Sequence, residues 1–488
     1  MTSKVIYRRA EKGFRFCLNE MNSTYYIGPT RTAFKSDFLL LKVFENGSRE
    51  PVLNPFADLD PMVITKLIQQ LTQQIMRITL VFISVFLLMS CKTDQKNIEP
   101  VKGNMKADVV YLASDRLQGR ETGTSYELLA ADYIEKRMKE SGLEPKGNAG
   151  TYFQTFSFKP SSGPHQEAAF TDEKGDVYLT GTNVIGYIDN GAAQTVVIGA
   201  HYDHLGMGGE SSLYREGKAI HNGADDNASG VAVMLDLAYD LKMSNKKGNN
   251  YLLIGFSGEE MGLLGSNYFT KNSTIALDSI TYMINMDMVG RLNKENTLAI
   301  YGAGTTPRWK QIINAVNKDF TLVISDSGVG PSDHTSFYLN DLPVLHFFTG
   351  QHEDYHKPGD DAEKLNYAGM EQISDYIFRI IGETDKAGKL AFRKTKNESE
   401  EVPRFKVGLG VVPDYLFTGK GMRIDGISED KPAQKAELIR GDIVVKLGDS
   451  TIVDMMSYMR TLATFDTGDT TKVVVDRGGK MVEKEITF

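Results

Sequence analysis

The sequence predicts an α/β domain with a mostly parallel (mixed) central sheet flanked by helices, followed by a small β-rich domain. Short apolar runs recur between helical stretches, and ligand-type residues stand at the ends of those runs. After a polar stretch near residue 390 the pattern changes to short strands and turns.

The apolar runs are Thr195–Gly199, Tyr251–Gly255, Thr281–Asn285 and Leu342–Phe348. Their length and continuous apolar character suit strands buried on both faces of a parallel sheet. Helical segments at 229–243 and 366–382 separate them. Upstream, Thr124 and Glu127 read as a capping box, and Tyr126, Leu129, Ala130, Tyr133, Ile134 and Met138 follow at helical spacing before Gly142. A first domain is thus predicted over 105–385. Residues 386–403 are polar and charged and end at Pro403, the composition of a linker, which leaves 404–488 as the second domain.

The N-terminal part reads differently. The run Ile78–Met89 is too short for a membrane span but suits the core of a signal peptide, opening at Met76-Arg77. It closes on Leu88-Met89-Ser90-Cys91, which resembles a bacterial lipobox in which the cysteine becomes the lipidated first residue. Residues 76–91 are therefore predicted to be a lipoprotein signal peptide, 92–104 a tether, and 1–75 a non-native or unprocessed extension. The expected location is outside the cytoplasm, lipid-anchored to a bacterial membrane and facing the periplasm or cell surface.

Composition removes several function classes. The 488 residues carry 55 Lys and Arg against 63 Asp and Glu, a formal charge of −8 with pI near 5.6, so no nucleic-acid partner is expected. The two cysteines, Cys17 and Cys91, both precede the part that reads as folded. A disulfide framework, a thiolate metal site and a thiol nucleophile are excluded there. A metal site must be built from histidine and carboxylate, the ligand set of hydrolytic zinc.

Such residues follow the first three of these predicted strands: His201-Tyr-Asp203-His204, Ser257-Gly-Glu259-Glu260, and Met286-Asp287. Ligands in open α/β sheets collect at the carboxyl ends of the strands, so these clusters should converge on one crevice. Gly223-Ala-Asp-Asp226-Asn-Ala-Ser-Gly230 adds carboxylates at a helix start, packed closely through small residues. His352-Glu353-Asp-Tyr-His356 matches the helical zinc motif H-E-x-x-H, but Thr349-Gly350 before it and Pro358-Gly359 after it argue against a helix. Only His356 is then read as a ligand, and Glu353 is dispensable.

The series GAHYDHLG, HNGADDNASG, FSGEEMGLLGS, NMDMVGR, PSDHTSF and YHKPGDD resembles the co-catalytic, two-zinc exopeptidases that include bacterial leucyl aminopeptidases and glutamate carboxypeptidases. The stretch Ala113–Gly123 is similar to their N-terminal segment, and the likeness covers about residues 105–385 in family order. It implies two zinc ions, one held by His201 and Asp287, the other by Glu260 and His356, with Asp226 bridging. It further implies peptide substrates, a metal-activated water and Glu259 as the general base. Asp203 stands where a carboxylate could orient the His201 ring. Asp333, His334 and Tyr355 are expected near the substrate, with packing as the other reading for His334, and Asp360 reads either as a helix cap or as support for the ligands. His204, His221, His346 and His352 are left as non-ligands.

An aminopeptidase is the expected activity. A carboxypeptidase, for which Arg291 or Arg308 would clamp the substrate carboxylate, a glutaminyl cyclase or an inactive peptide-binding protein are the alternatives. The C-terminal segment, with Gly408-Leu409-Gly410-Val411 and Gly426 to Gly448, resembles a PDZ domain. The resemblance implies a loop at 408–411 that takes the carboxylate of a peptide or protein C-terminus.

Overall fold

The computed structural model describes residues 99–488 except 161–168, 172–177, 210, 386, 397–405, 415, 418 and 429. Before residue 99 it describes only the short antiparallel strands Arg9–Ala10, Gly13–Phe16 and Tyr25–Ile27, and the single residues Met62 and Thr72. The expected signal segment 76–91, with Cys91, lies outside the described residues. Among those described, no helix is long and apolar enough to cross a membrane. Residues 1–95 form one compact unit and 96–488 another, so both predicted domains fall within the second.

The principal strands of the first domain are β1 (Phe153–Lys159), β2 (Leu179–Ile188), β3 (Thr195–His201), β4 (Asn250–Phe256), β5 (Ile280–Met286), β6 (Thr297–Tyr301), β7 (Thr321–Ile324) and β8 (Val344–Phe348). With two two-residue strands they make a ten-stranded sheet in the order β7-β6-β8-β5-β3-β4-β2-β1. The centre, β8-β5-β3-β4, is parallel, and β6 and β2 flank it antiparallel. The fold is therefore mixed and mostly parallel at its core, as predicted.

Alternation along the central strands feeds two apolar layers. Val196, Ile198, Leu253 and Ile284 pack beneath the helices Met105–Leu112, Ser125–Glu140, Gly230–Met243 and Tyr367–Thr384. Val197, Leu252, Ile254 and Met283 face the other way, against Phe269 of helix Leu264–Lys271 and Phe337 of the short helix His334–Tyr338. Burial on both faces explains why the strands read as unbroken apolar runs.

Two local expectations change. Thr124 caps its helix by accepting from the Glu127 N–H at 3.3 Å, but the Glu127 carboxylate turns inward to Gly123 N, Tyr202 Oη and Ser257 Oγ, so only half of the capping box forms. The predicted linker is not loose in its first half. Leu390 is buried, Phe392 packs on Tyr338, and the Arg393 N–H donates to Thr305 O at 2.7 Å. Backbone pairing and apolar burial strap 387–396 to the α/β domain despite its polar composition.

The C-terminal module is built on β9 (Val411–Pro413), β10 (Met422–Ile427), β11 (Ile443–Leu447), β12 (Thr470–Arg477) and β13 (Lys480–Thr487), antiparallel in that order. Its core gathers Leu409, Ile424, Val444, Leu447, Tyr458, Val473 and Ile486.

Candidate metal centre

Parallel pairing brings the chemistry together. Gly199 is level with Asn285 and Ile254, and Asn285 is level with His346, so the carboxyl ends of β3, β4, β5 and β8 form one edge. His201 ends β3, Glu259 and Glu260 follow β4, Asp287 follows β5, and the loop after β8 carries His356. Asp226 reaches the same edge from the loop that enters helix Gly230–Met243. The loop at 351–360 consists of turns, and His356 has φ +53°, so H-E-x-x-H is not helical here.

The donor atoms form two triads. His201 Nε2 lies 3.3 Å from Asp226 Oδ1 and 3.3 Å from Asp287 Oδ1. His356 Nε2 lies 3.2 Å from Asp226 Oδ2 and 3.3 Å from Glu260 Oε2. Two atoms each bound ~2.0–2.1 Å from one tetrahedral ion stand roughly 3.3–3.4 Å apart. Each of the four imidazole–carboxylate distances is close to that spacing, and Asp226 offers one oxygen to each imidazole. The donors present are thus of a type and spacing that could hold metal ions, with His201, Asp226 and Asp287 in one group and His204, Asp226 and Glu260 in another.

The buried charges of the site lean on one another. Against the cost of burial, Asp287 and Glu259 hold the His201 imidazole well above its usual pKa. Glu260 and Asp226 do the same for His356. Burial, together with Asp287, Glu260 and Asp333, pushes the Glu259 carboxyl well up, against the pull of His201.

A further set of groups holds the donors in place. Asp203 was expected to orient the His201 ring through its carboxylate, but its main-chain oxygen is the nearer partner, 3.2 Å from His201 Nδ1, with Oδ1 at 3.7 Å. The carboxylate instead accepts from the backbone N–H groups of Glu259 at 3.2 Å and Glu260 at 3.4 Å and from Thr122 Oγ1 at 3.0 Å. It anchors the turn that presents both glutamates. Asp360 is no helix cap: its Oδ2 accepts from the N–H groups of Asp225 at 2.8 Å and Asp226 at 3.0 Å. His352 Nε2 lies 3.2 Å from Asp225 Oδ2, while Asp225 Oδ1 accepts from Gly290 N–H at 2.6 Å.

Sequence reading missed two residues. His204, set aside as a non-ligand, places Nδ1 2.7 Å from Glu260 Oε1 and 4.0 Å from Asp226 Oδ2, within reach of the second triad. Arg120 is fully buried and donates to the carbonyl oxygens of Leu112, Tyr202, Asn222 and Gly223. It ties the upstream segment to both ligand loops. The repeated histidine in His-Tyr-Asp-His was the available signal for the first; no local pattern marks the second.

The triads open into a cavity of about 210 Å3 lined by Asp226, Glu259, Glu260, Asp287 and His356 and by the apolar and aromatic residues Met288, Tyr301, Phe348 and Tyr355. Tyr355 stacks on His356 with ring centroids 3.8 Å apart. Asp333 and His334, expected beside the substrate, are fully buried behind this wall, and His334 stacks on His346 at 4.4 Å. Their helix packs on the sheet, which turns both side chains inward. Arg291 pairs with Asp354 at 2.9 Å, and Arg308 is exposed ahead of helix Trp309–Val316.

Residues 183–381 match the family described as Peptidase family M28, and residues 391–488 match the PDZ domain. Similar proteins include the "Probable leucine aminopeptidase" of Arthroderma otae, 27% identical over 222 residues that cover 43% of this chain and 58% of that one. Aminopeptidase YwaD of Bacillus subtilis is 28% identical over 205 residues, covering 40% of this chain and 42% of its own. The chain thus spans little more than half of either relative at most. Among solved structures, a zinc aminopeptidase from Bacillus subtilis aligns at 17% identity and TM-score 0.45, covering 60% of this chain and 96% of that one. Glutaminyl cyclase from Porphyromonas gingivalis aligns at 17% identity and TM-score 0.44, covering 57% and 97%.

Proposed function

We propose that the protein is a two-zinc aminopeptidase that releases N-terminal residues from peptides. One observation carries the reading: two imidazoles, each 3.2–3.3 Å from two carboxylates, share Asp226 on the lining of a cavity with apolar walls. His201, Asp226 and Asp287 would hold one ion and Asp226, Glu260 and His356 the other. When bound, such a pair polarises the scissile carbonyl and brings the pKa of a shared water toward ~7.

The chain's own residues perform the remaining steps. Glu259 borders the cavity but belongs to neither triad, so it is free to take the proton of the attacking water and deliver it to the leaving amine. Asp203 holds that glutamate through its backbone N–H. The pairing of Arg291 with Asp354 favours an aminopeptidase over a carboxypeptidase, because the guanidinium is already committed to an acidic partner.

Metal analysis combined with a panel of free-amine aminoacyl, N-blocked and carboxyl-terminal substrates tests the reading. We expect two zinc equivalents and loss of activity on chelation, with cleavage confined to free-amine substrates. Cleavage of N-blocked peptides alone, or cyclisation of N-terminal glutamine, rejects it.

For the PDZ domain we propose capture of a peptide or protein C-terminus. The N–H groups of Gly408, Leu409 and Gly410 have no hydrogen-bond acceptor among the described residues, the feature a carboxylate would use. Export with lipidation at Cys91 is proposed from sequence alone; fatty-acid labelling that survives Cys91→Ala would reject it.

A further inference from the structure

The apolar cluster that backs the cavity wall includes a residue from outside the peptidase domain. Met288, Ala299 and Phe348 form a small apolar cluster, joined at its edge by Tyr301, Val323, Tyr355 and Leu416. Four of these, Met288, Tyr301, Phe348 and Tyr355, line the cavity at the triads. Leu416 belongs to the PDZ domain and follows β9, yet it packs into this cluster. Backbone shape makes room for it: Gly350 has φ +103°, and a Cβ there would stand 2.8 Å from Leu416 Cδ1. Gly350 opens the loop that carries Gln351, Tyr355 and His356, all three on the cavity surface.

The turn that presents Leu416 is held from its own side. The Leu416 N–H donates to Asp414 Oδ1 at 2.8 Å, and Asp414 N–H donates to Arg423 O at 2.9 Å. Arg423 Nε donates to Asp414 Oδ2 at 2.6 Å, and its guanidinium lies over the Phe417 ring at 4.9 Å. A second bridge reaches the same catalytic loop, Arg440 to Glu353 at 3.5 Å, but both side chains are exposed and such a pair contributes little. The apolar contact is the one that matters. Packed side chains without voids transmit position, so a leucine behind a wall determines where the wall stands.

We propose that Leu416 is a positioning residue of the catalytic cavity: supplied by the PDZ domain, it sets the apolar wall and thereby the selectivity for an uncharged apolar side chain at the substrate's N-terminal residue. The wall chemistry, the rings of Tyr301, Tyr355 and Phe348 and the Met288 thioether beside the carboxylates, suits such a side chain and disfavours a charged one. The proposal rests on the aminopeptidase reading for the identity of the substrate. The brace itself does not.

The test uses the full chain with Leu416→Ala and Leu416→Met, measuring kcat/KM for leucyl and alanyl substrates, and hydrogen exchange of residues 349–356. Losing one methylene's worth of fit in an apolar site shifts selectivity ~10-fold or more. In Leu416→Ala we expect the leucyl-to-alanyl ratio to fall about tenfold, mainly through KM, with kcat for the alanyl substrate within threefold of the parent. Leu416→Met should keep the ratio within threefold, and exchange over 349–356 should accelerate only in Leu416→Ala. A ratio unchanged in Leu416→Ala overturns the proposal whatever the exchange shows. If the parent releases no N-terminal residue at all, the aminopeptidase reading fails instead, and exchange alone decides: unchanged protection in Leu416→Ala removes the brace as well.

Discussion

Glu259 and Glu260 are adjacent, both border the cavity, and should fail in opposite ways when neutralised. Glu260 Oε2 is 3.3 Å from His356 Nε2, and its Oε1 is 2.7 Å from His204 Nδ1. Glu260→Gln therefore removes a charged donor from the second triad and leaves two imidazoles facing an amide. Glu259 contributes no atom to either triad, so Glu259→Gln leaves every donor distance in place. What it removes is the proton acceptor for the attacking water. General-base catalysis is worth ~10²–10⁴ in rate, or roughly 2.7–5.4 kcal/mol of barrier. The expected outcome is a Glu259→Gln protein with the parent's metal content and a kcat lower by that factor, beside a Glu260→Gln protein depleted of metal. Metal content by elemental analysis and steady-state kinetics on a free-amine substrate read both quantities. Glu259→Gln with kcat within threefold of the parent, or with as little metal as Glu260→Gln, would refute the division of labour.

Other perturbations separate donors from supports. His356→Ala should lose metal outright, while His204→Ala, if that ring only steers the Glu260 carboxylate, should retain it with affinity lowered ~10–100-fold, as measured by competition with a chelator. Arg120→Ala strands three buried carbonyl oxygens at ~1–3 kcal/mol each, and a fourth that is part-buried, so urea unfolding should show a loss above about 3 kcal/mol; a loss below about 1 kcal/mol would mean the groups find other partners. Burial lifts the Glu127 carboxyl from 4.5 to about 7, against hydrogen bonds from Ser257 and Gly123. With the folded value raised, its contribution to stability is fully present below pH 4.5 and lost as pH rises to 7, roughly 3 kcal/mol in all. Glu127→Gln should flatten the fall in thermal stability between those pH values, and an unchanged slope would show the carboxyl to be ionised throughout.

Much of the catalytic domain was legible from sequence because its physics is local. Strands buried on both faces must be continuous apolar runs, and residues such as His201 and Asp287 directly follow those runs. His356 was separable from the helical zinc motif because Gly350, Pro358 and Gly359 forbid the helix. Relations between distant segments were not legible. The role of Asp203 depends on which backbone N–H groups come within 3.4 Å of it, and 56 residues separate it from Glu259. Asp333 and His334 were expected near the substrate because their motif resembles one beside the family's pocket, yet both are fully buried and neither lines the cavity. The segment 387–396 is polar in composition but is held by backbone pairing to Thr305, which composition does not record.

By itself the sequence determined the ligand chemistry, histidine and carboxylate without thiolate, and the placement of most donors at strand ends, since side-chain type and periodicity are local properties. The family resemblance implied that Asp226 bridges, and the tertiary structure supplied its distances to both imidazoles; only the tertiary structure decided that His204 approaches Glu260 and that Leu416 of the second domain stands behind the cavity wall. Each of these is a distance between segments brought together by sheet order and packing, and no sequence spacing encodes it.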